Sequence, residues 1–252
     1  MISKNKLKYY SSLVRKKNRD VEKKFIAEGL KIVEEGLLSG HTCEAVFVTD
    51  EFEANNKGYL KKYNIQVESV EQNDFSKLTE TVTPQGLAAV FDYPTPRNPE
   101  FITSELVVCL ENISDPGNLG TIIRNCDWFG IKDIVLSKNC TDVYSSKTVR
   151  STMGSLFHVN IYKDIELPVW LALIKKKNYK ILCADMEGEN LFTIQKGKKN
   201  IIILSSESHG PSIDVLSLSD IRTTIPKYGN AESLNVASAS AVILSSLIQK
   251  NL

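Results

Sequence analysis

The chain has 252 residues, a formal net charge of +1, and 42% hydrophobic against 24% charged residues. That length fits one large domain or two ordinary ones, and the balance is that of an average soluble globular protein. No apolar run approaches the roughly 18 residues of a membrane span, and no global charge announces nucleic acid.

The N-terminal stretch MISKNKLKYYSS is basic but lacks the apolar segment of a secretory signal, so a cytoplasmic protein is expected. Residues 1–24 carry nine Lys/Arg (Lys4, Lys6, Lys8, Arg15, Lys16, Lys17, Arg19, Lys23 and Lys24) against two acids, Asp20 and Glu22. Such an arm attracts polyphosphate by counterion release, and a solvated lysine-rich face would account for it as well. Residues 21–39 place Val21, Phe25, Leu30, Val33 and Leu37 at helical spacing, which predicts one helix there. A strand at 44–49, a polar helix near 52–62, a strand at 65–70, a short helix around 74–79 and a strand at 86–91 follow. This alternation suffices for a compact layered α/β unit.

The segment 92-DYPTPRNPE-100 holds three prolines in nine residues and can continue neither a helix nor a central strand. It places a linker at 93–100 between a first domain, 1–92, and a second, 101–252. Beyond it, strand-like runs fall at 105–110, 132–137, 158–163, 179–184, 200–205 and 221–225. Helical segments lie near 119–129, 145–153, 166–177 and 212–216, and a final helix covers 234–249. Several strands are continuous β-branched runs, as expected when helices cover both faces of a parallel sheet.

Five cysteines (Cys43, Cys109, Cys126, Cys140, Cys183) are scattered and never spaced C-x-x-C, which suits free thiols better than disulfides or zinc. Three histidines (His41, His158, His209) are too dispersed for a metal cluster, and no metal is expected.

Three segments carry chemistry. In 110-LENISDPGNLGTIIRNCDWFG-130 a strand end meets a turn and then a helix, with Asn118 as a plausible N-cap. Arg124 sits near the start of an apolar helix, where the macrodipole disfavours a cation; it is either a core-lining or salt-bridged arginine or a phosphate contact. The G-x-G-x-x-G fingerprint of a dinucleotide site is missing. In 201-IIILSSESHGPS-212 an apolar strand delivers Glu207 into a turn, where a carboxylate is either functionally paired or a cap for the helix starting near Ser212. In 225-IPKYGNAESLNVASASAVILSSL-247, Pro226 and Gly229 shape a turn ahead of Ser233 and Asn235, and a run of small residues follows.

In this order the three segments resemble the motifs of the SpoU-type RNA ribose methyltransferases of the SPOUT class, and the resemblance covers essentially the whole chain. The segment 147-KTVRSTMGSLFHV-159 is similar to the family's Arg-x-Ser-x-Gly-Ala region, and 25–37 with 78–91 resemble its substrate-binding domain. The resemblance implies an α/β fold. Its C-terminal parallel-sheet domain would be tied in a trefoil knot, an accepted exception to the no-knot rule. A smaller, ribosomal-protein-like α/β domain would bind RNA. It implies S-adenosylmethionine as cofactor, held by Ser205, Ser206, Gly210, Ile225, Pro226, Leu234 and Ala184. It further implies catalytic roles for Asn118, Arg124, Glu207, Ser233 and Asn235, and RNA contacts from Lys4, Lys6, Lys8, Arg15, Lys16, Lys17, Arg19 and Arg150. The family reads Gly-x-Glu-Gly-x-Gly where this chain has Ser205-Ser206-Glu207-Ser208-His209-Gly210. Serine can stand for glycine there only at φ < 0.

The reaction so implied is in-line methyl transfer to a ribose 2′-hydroxyl of structured RNA, rRNA rather than tRNA. Arg124 would hold the target phosphate, since a guanidinium hardly ever deprotonates. Asn118 and Asn235 would orient the hydroxyl, and Glu207 would fix Arg124 or Asn235. A non-catalytic RNA-binding assembly factor on the same fold is the alternative. A homodimer through the C-terminal domain is expected, with Leu244 and Leu247 as anchors, and a chain starting near Pro99 is expected to fold alone.

Overall fold

The computed structural model describes residues 2–63 and 65–249, which fall into two compact units. One holds the chain up to Thr95 together with Asp142–His158; the other holds Pro96–Thr141 and the chain from Val159 onward. The first division between the units falls between Thr95 and Pro96. The piece 142–158, expected in the second domain, instead packs with the first.

In the first unit, strands β1 (Lys24–Glu28), β2 (Cys43–Val48), β3 (Val67–Ser69) and β4 (Leu87–Asp92) form a sheet in the order β1-β4-β2-β3. β4 runs antiparallel to β1 and β2, and β2 runs parallel to β3. Helices α1 (Lys4–Ser12), α2 (Lys16–Glu22), α3 (Leu30–Leu38), α4 (Asp50–Asn55) and α5 (Gln72–Phe75) surround it. The polar helix expected near 52–62 is broken: α4 ends at Asn55, and Tyr59–Tyr63 forms a separate 3-10 turn.

The single helix expected over 21–39 does not exist. Lys23 turns left-handed at φ 55° and stops α2, and Gly29 at φ 97° starts α3. Between them Phe25 and Ala27 alternate with less buried neighbours, a period of two that the sheet rewards through the full register Lys24↔Asp92 to Glu28↔Ala88. Helical spacing and this strand share Phe25; pairing with β4 decides between them.

One sheet face carries Leu7, Tyr10, Leu13, Phe47, Phe75 and Val90. An aromatic cluster of Phe25, Phe91, Tyr93, Tyr144 and Phe157 forms a second core, with Tyr93 stacked on Tyr144 at 4.0 Å between ring centroids. Tyr144 and Phe157 belong to the 142–158 piece, whose helix α7 is Ser146–Thr152. Gly36 on α3 is what lets these rings close in, because a Cβ there would meet the Phe91 ring at 2.4 Å and the Phe157 ring at 2.7 Å.

The piece is also held by charge. Arg19 donates to the Leu13 and Val14 carbonyls and to the Asp142 carboxylate at 2.5 Å, and Arg150 faces Glu28 at 3.7 Å. Glu28 is buried, and burial raises its carboxyl above the ordinary value against the opposing pull of the Thr81 hydroxyl and Arg150. Because the folded-state value is the higher one, the stabilisation is full below the unfolded value of about 4.3 and is lost as pH rises through the folded value. Glu28→Gln keeps one carbonyl oxygen as acceptor for the Thr81 hydroxyl or the Gln85 N–H and leaves the part-exposed Arg150 without its carboxylate. At neutral pH it should be more stable than the parent by up to about 1 kcal/mol, with the gap closing as pH falls to about 4. Urea melts of parent and variant over that range check this; a variant less stable than the parent at neutral pH would show the carboxylate to be net favourable.

The second unit is a six-stranded, all-parallel sheet in the order β10-β8-β9-β5-β6-β7. Its strands are β5 (Leu106–Glu111), β6 (Asp133–Ser137), β7 (Asn160–Ile165), β8 (Tyr179–Asn190), β9 (Lys199–Ser205) and β10 (Ile221–Thr224), close to the expected runs except that β8, expected over 179–184, continues to Asn190. Helices α8 (Leu167–Lys175) and α9 (Ile213–Leu218) cover one face with Trp170, Leu171, Ile174 and Val215. Helix α6 (Pro116–Trp128) packs against α10 (Val236–Ile248), and α10 also contacts β9. β5 and β9 are buried along their centres, which is why their sequences are apolar without alternation. Leu244 and Leu247 are 0% and 8% exposed within this unit, so they are core residues and cannot anchor a dimer. All five cysteines are free thiols.

Candidate active site

The sheet order sets where a site can form. β5 and β9 are neighbours, paired from Leu106↔Asn200 to Glu111↔Ser205. From β5 the chain moves to β6 and β7 on one side, whereas β8 and β10 lie on the other. Such a switch point opens a crevice beyond the carboxyl ends of the strands. Three loops end there: 112–115 after β5, 206–212 after β9 and 225–235 after β10.

The first loop turns at Asn112, which sits at φ 56° and donates its N–H to Ser137 Oγ. Asp115, not Asn118, is the N-cap of α6: its side chain accepts from Asn118 N at 2.8 Å, and Pro116 opens the helix. Freed from capping, Asn118 turns its side chain to the third loop, and its Oδ1 accepts from Asn235 Nδ2 at 3.0 Å. Arg124 is exposed on α6 and has no ion pair or hydrogen bond among the described residues. The core-lining and salt-bridged readings of it therefore fall away.

In the second loop Glu207 Oε1 accepts from Val236 N at 2.5 Å. It is thus a cap, but for α10 rather than for the helix after Ser212, whose cap is Ser212 itself. A carboxylate at the positive end of α10 is favourable. Glu207 holds the helix entrance and, among the described residues, makes no hydrogen bond or ion pair with Arg124 or the Asn235 side chain. Within 205–210 only Gly210 has positive φ, at 63°, so the serines replacing the family's glycines meet the backbone condition. A Cβ on Gly210 would have open space around it.

In the third loop Asn235 is the N-cap of α10, accepting from Ala237 N and Ser238 N at 3.0 and 3.3 Å. Among the described residues, segment 226–234 makes no hydrogen bond to the rest of the chain, which leaves its backbone donors and acceptors for a ligand. Leu234 is 51% exposed, and Ser233 is exposed beside it. Ile225, Pro226 and Ala184 are partly buried. Free backbone groups, an exposed leucine and an open glycine together suit an adenosine-type ligand with an apolar face and hydrogen-bonding edges.

Thus Asn118, Glu207 and Asn235 converge, and Arg124 shares α6 with Asn118. Two residues of this constellation escaped sequence reasoning. Glu111 is buried at the end of β5, and its Oε2 accepts from Ser205 Oγ at 3.0 Å and Ser212 N at 3.1 Å, tying both ends of the second loop. Asn125 on α6 donates to Ala237 O and Ser240 Oγ. An acid closing an apolar strand was the available signal for the first; a seven-residue spacing from Asn118 was the signal for the second.

Of the expected RNA contacts in the first unit, Lys4, Lys6, Lys8, Arg15, Lys16 and Lys17 are exposed, with Lys6 paired to Glu68 at 2.7 Å. Arg19 is a correction: at 5% exposure and engaged with Asp142, it is a structural cation. Arg150 is part-exposed, donating to Ser146 Oγ at 2.8 Å beside Glu28. Among the described residues no cluster of three His, Cys, Asp or Glu could hold a metal, and no helix is long and apolar enough to cross a membrane.

Residues 105–245 match the family model described as the SpoU rRNA Methylase family, and residues 4–89 match that of the MRM3-like substrate binding domain. The chain is 32% identical over 240 residues to the 23S rRNA (guanosine(2553)-2'-O)-methyltransferase RlmP of Bacillus subtilis, covering 95% of this chain and 94% of that protein. Among solved structures it is similar to an RNA methyltransferase of the TrmH family from Porphyromonas gingivalis, with TM-score 0.86, 32% identity and 98% of both chains covered. It is also similar to the AdoMet-bound rRNA methyltransferase from Sinorhizobium meliloti, with TM-score 0.84, 27% identity, and 98% of this chain and 95% of that one covered.

Proposed function

The chain belongs to the SpoU rRNA methylase family, RNA ribose 2′-O-methyltransferases that use S-adenosylmethionine, and on that premise we propose that it methylates one ribose in structured ribosomal RNA. The observation that carries the assignment of the site is the convergence of Asn118, Glu207 and Asn235 at the switch point, with an unpaired Arg124 on the same helix as Asn118. A non-catalytic assembly factor on the same fold is not favoured, because that whole set is present.

S-adenosylmethionine supplies a methyl group on a sulfonium, already activated for transfer. The protein's own task is placement and proton removal. The backbone of 225–234 with Leu234, together with Ser205, Ser206 and Gly210, would hold the adenosine part, with Ile225, Pro226 and Ala184 as its apolar walls. Glu207 keeps the entrance of α10 in place. The linked amides of Asn118 and Asn235 would orient the ribose hydroxyl, with the Ser233 hydroxyl beside them. Arg124 would clamp a backbone phosphate bidentately and fix the approach of the 2′-oxygen.

The first unit would be the RNA-holding module, through Lys4, Lys6, Lys8, Arg15, Lys16 and Lys17, with Arg150 adding charge from the 142–158 piece. A homodimer through the second unit is part of the reading. With Leu244 and Leu247 in the core, Trp128, 84% exposed on α6, and Val242 on α10 replace them as anchors. The reading includes the family's trefoil knot and a cytoplasmic location.

Mapping 2′-O-methylated riboses by mass spectrometry, in RNA from cells with and without the gene, tests the substrate. One rRNA ribose should lose its methyl group in the deletion and regain it when purified protein and cofactor are added. An unchanged rRNA pattern alongside a lost tRNA methyl group would move the substrate to tRNA.

A further inference from the structure

Between α6 and α10 lies a small polar knot in otherwise apolar packing. Asn125 Nδ2 donates to Ala237 O at 3.0 Å and to Ser240 Oγ at 2.8 Å, and Ser240 Oγ donates to the same carbonyl at 2.7 Å. Ser240 is fully buried and Ala237 nearly so. Buried polar groups are costly unless partnered, and here the Asn125 amide N–H groups and the Ser240 hydroxyl all find acceptors within the set. Ala237 O lies inside α10, where the helix already offers it a donor, so the two extra bonds are not there to rescue an orphan.

Their position is informative. Asn118 and Asn125 are seven residues apart on α6 and so lie on one face, two turns from each other. The first holds the Asn235 side chain; the second holds the carbonyl of Ala237, whose N–H is bonded to Asn235 Oδ1. The adjoining Val236 N–H is bonded to Glu207. Among the described residues, the hydrogen bonds that the first turn of α10 makes outside its own helix and cap thus run to Glu207 and to Asn125. The α10 residues that Asn125 meets here, Ala237 and Ser240, are small and buried, and small side chains pack closely but discriminate poorly between neighbouring registers. A single buried amide can set a register that apolar packing leaves loose.

We propose that Asn125, with Ser240, is a positioning residue for methyl transfer: it sets the register of α10 on α6 and thereby places Asn235 against Asn118. The inference rests on the role proposed for Asn235.

The test is a double-mutant cycle in the full chain with Asn125→Leu and Asn235→Ala, read by turnover on the cognate RNA, melting temperature and the Val236 amide resonance. Asn125→Leu alone should lower kcat roughly tenfold, yet lower it less than about twofold further when Asn235→Ala is already present. Its effect on melting temperature should be the same in both backgrounds. The Val236 amide should shift, since its bond to Glu207 moves with the helix. Asn125→Thr, which restores a short donor, should recover most of the turnover. Kinetic losses that multiply in the double variant would overturn the proposal, because Asn125 would then act independently of Asn235. If Asn125→Leu does not fold, Ser240→Ala weakens the same contact from the other helix and takes its place in the cycle. If Asn235→Ala itself turns over normally, the role assigned to Asn235 fails; the Val236 resonance then decides, and an unmoved signal would show that Asn125 does not set the helix.

Discussion

Replacing Arg124 by alanine should lower turnover on the cognate RNA by roughly a hundredfold or more while cofactor affinity changes by less than about twofold. The size follows from what the side chain lacks as much as from where it sits. Arg124 is exposed on α6, with no acid or carbonyl engaged among the described residues, in the helix that presents Asn118 to Asn235. Its removal therefore costs the folded protein little, and the loss falls on the step in which a phosphate must be held. None of the groups assigned to the adenosine part, in 205–210 and 225–234, belongs to α6, so calorimetry with the cofactor alone should scarcely move. Arg124→Lys should recover only part of the rate, because an ammonium cannot reproduce a bidentate clamp. Near-normal turnover by the alanine variant would remove Arg124 from the mechanism; a matching loss of cofactor affinity would move it into the cofactor pocket.

The second large effect concerns the 142–158 piece. A fragment ending at Thr95 should show no cooperative melt, and fusing residues 142–158 to its end through a flexible linker should restore one. Tyr144, Val149, Leu156 and Phe157 are all buried, and burying side chains of this size is worth about 1.5–3 kcal/mol each. Four of them together approach the roughly 5–15 kcal/mol that holds a whole domain. Without them Phe25 and Phe91 lose ring partners, and Arg19 loses the Asp142 carboxylate. The expectation that a chain starting near Pro99 folds alone changes for the same reason. Such a fragment carries Tyr144, Leu156 and Phe157 without the surface they cover, and it should aggregate. Equal melting curves for the short fragment with and without the fused piece would show that the aromatic cluster contributes little.

What the sequence determined by itself is whatever local chemistry decides. The strands of the parallel sheet were legible because a strand covered on both faces is apolar throughout, as in Val107–Leu110 and Ile201–Leu204. The three loops were legible because turns and helix starts need particular residues: Asp-Pro-Gly at the start of α6, Gly-Pro before α9, and Ser-Leu-Asn before α10. Tertiary structure alone decided the features whose partner is remote in the chain. Lys24–Glu28 is a strand because β4 lies beside it, although its apolar residues also fit a helix. Arg19 counted with the basic arm until Asp142, 123 residues away, took it inside. Leu244 and Leu247 looked like exposed leucines on a helix of small residues, and packing of α10 against α6 and β9 buried them. Asn118 exchanged the capping role expected of it for a bond to Asn235, 117 residues further on, because Asp115 had already satisfied the helix end. A hydrogen bond or a buried face needs two parties, and one stretch of sequence names only the first.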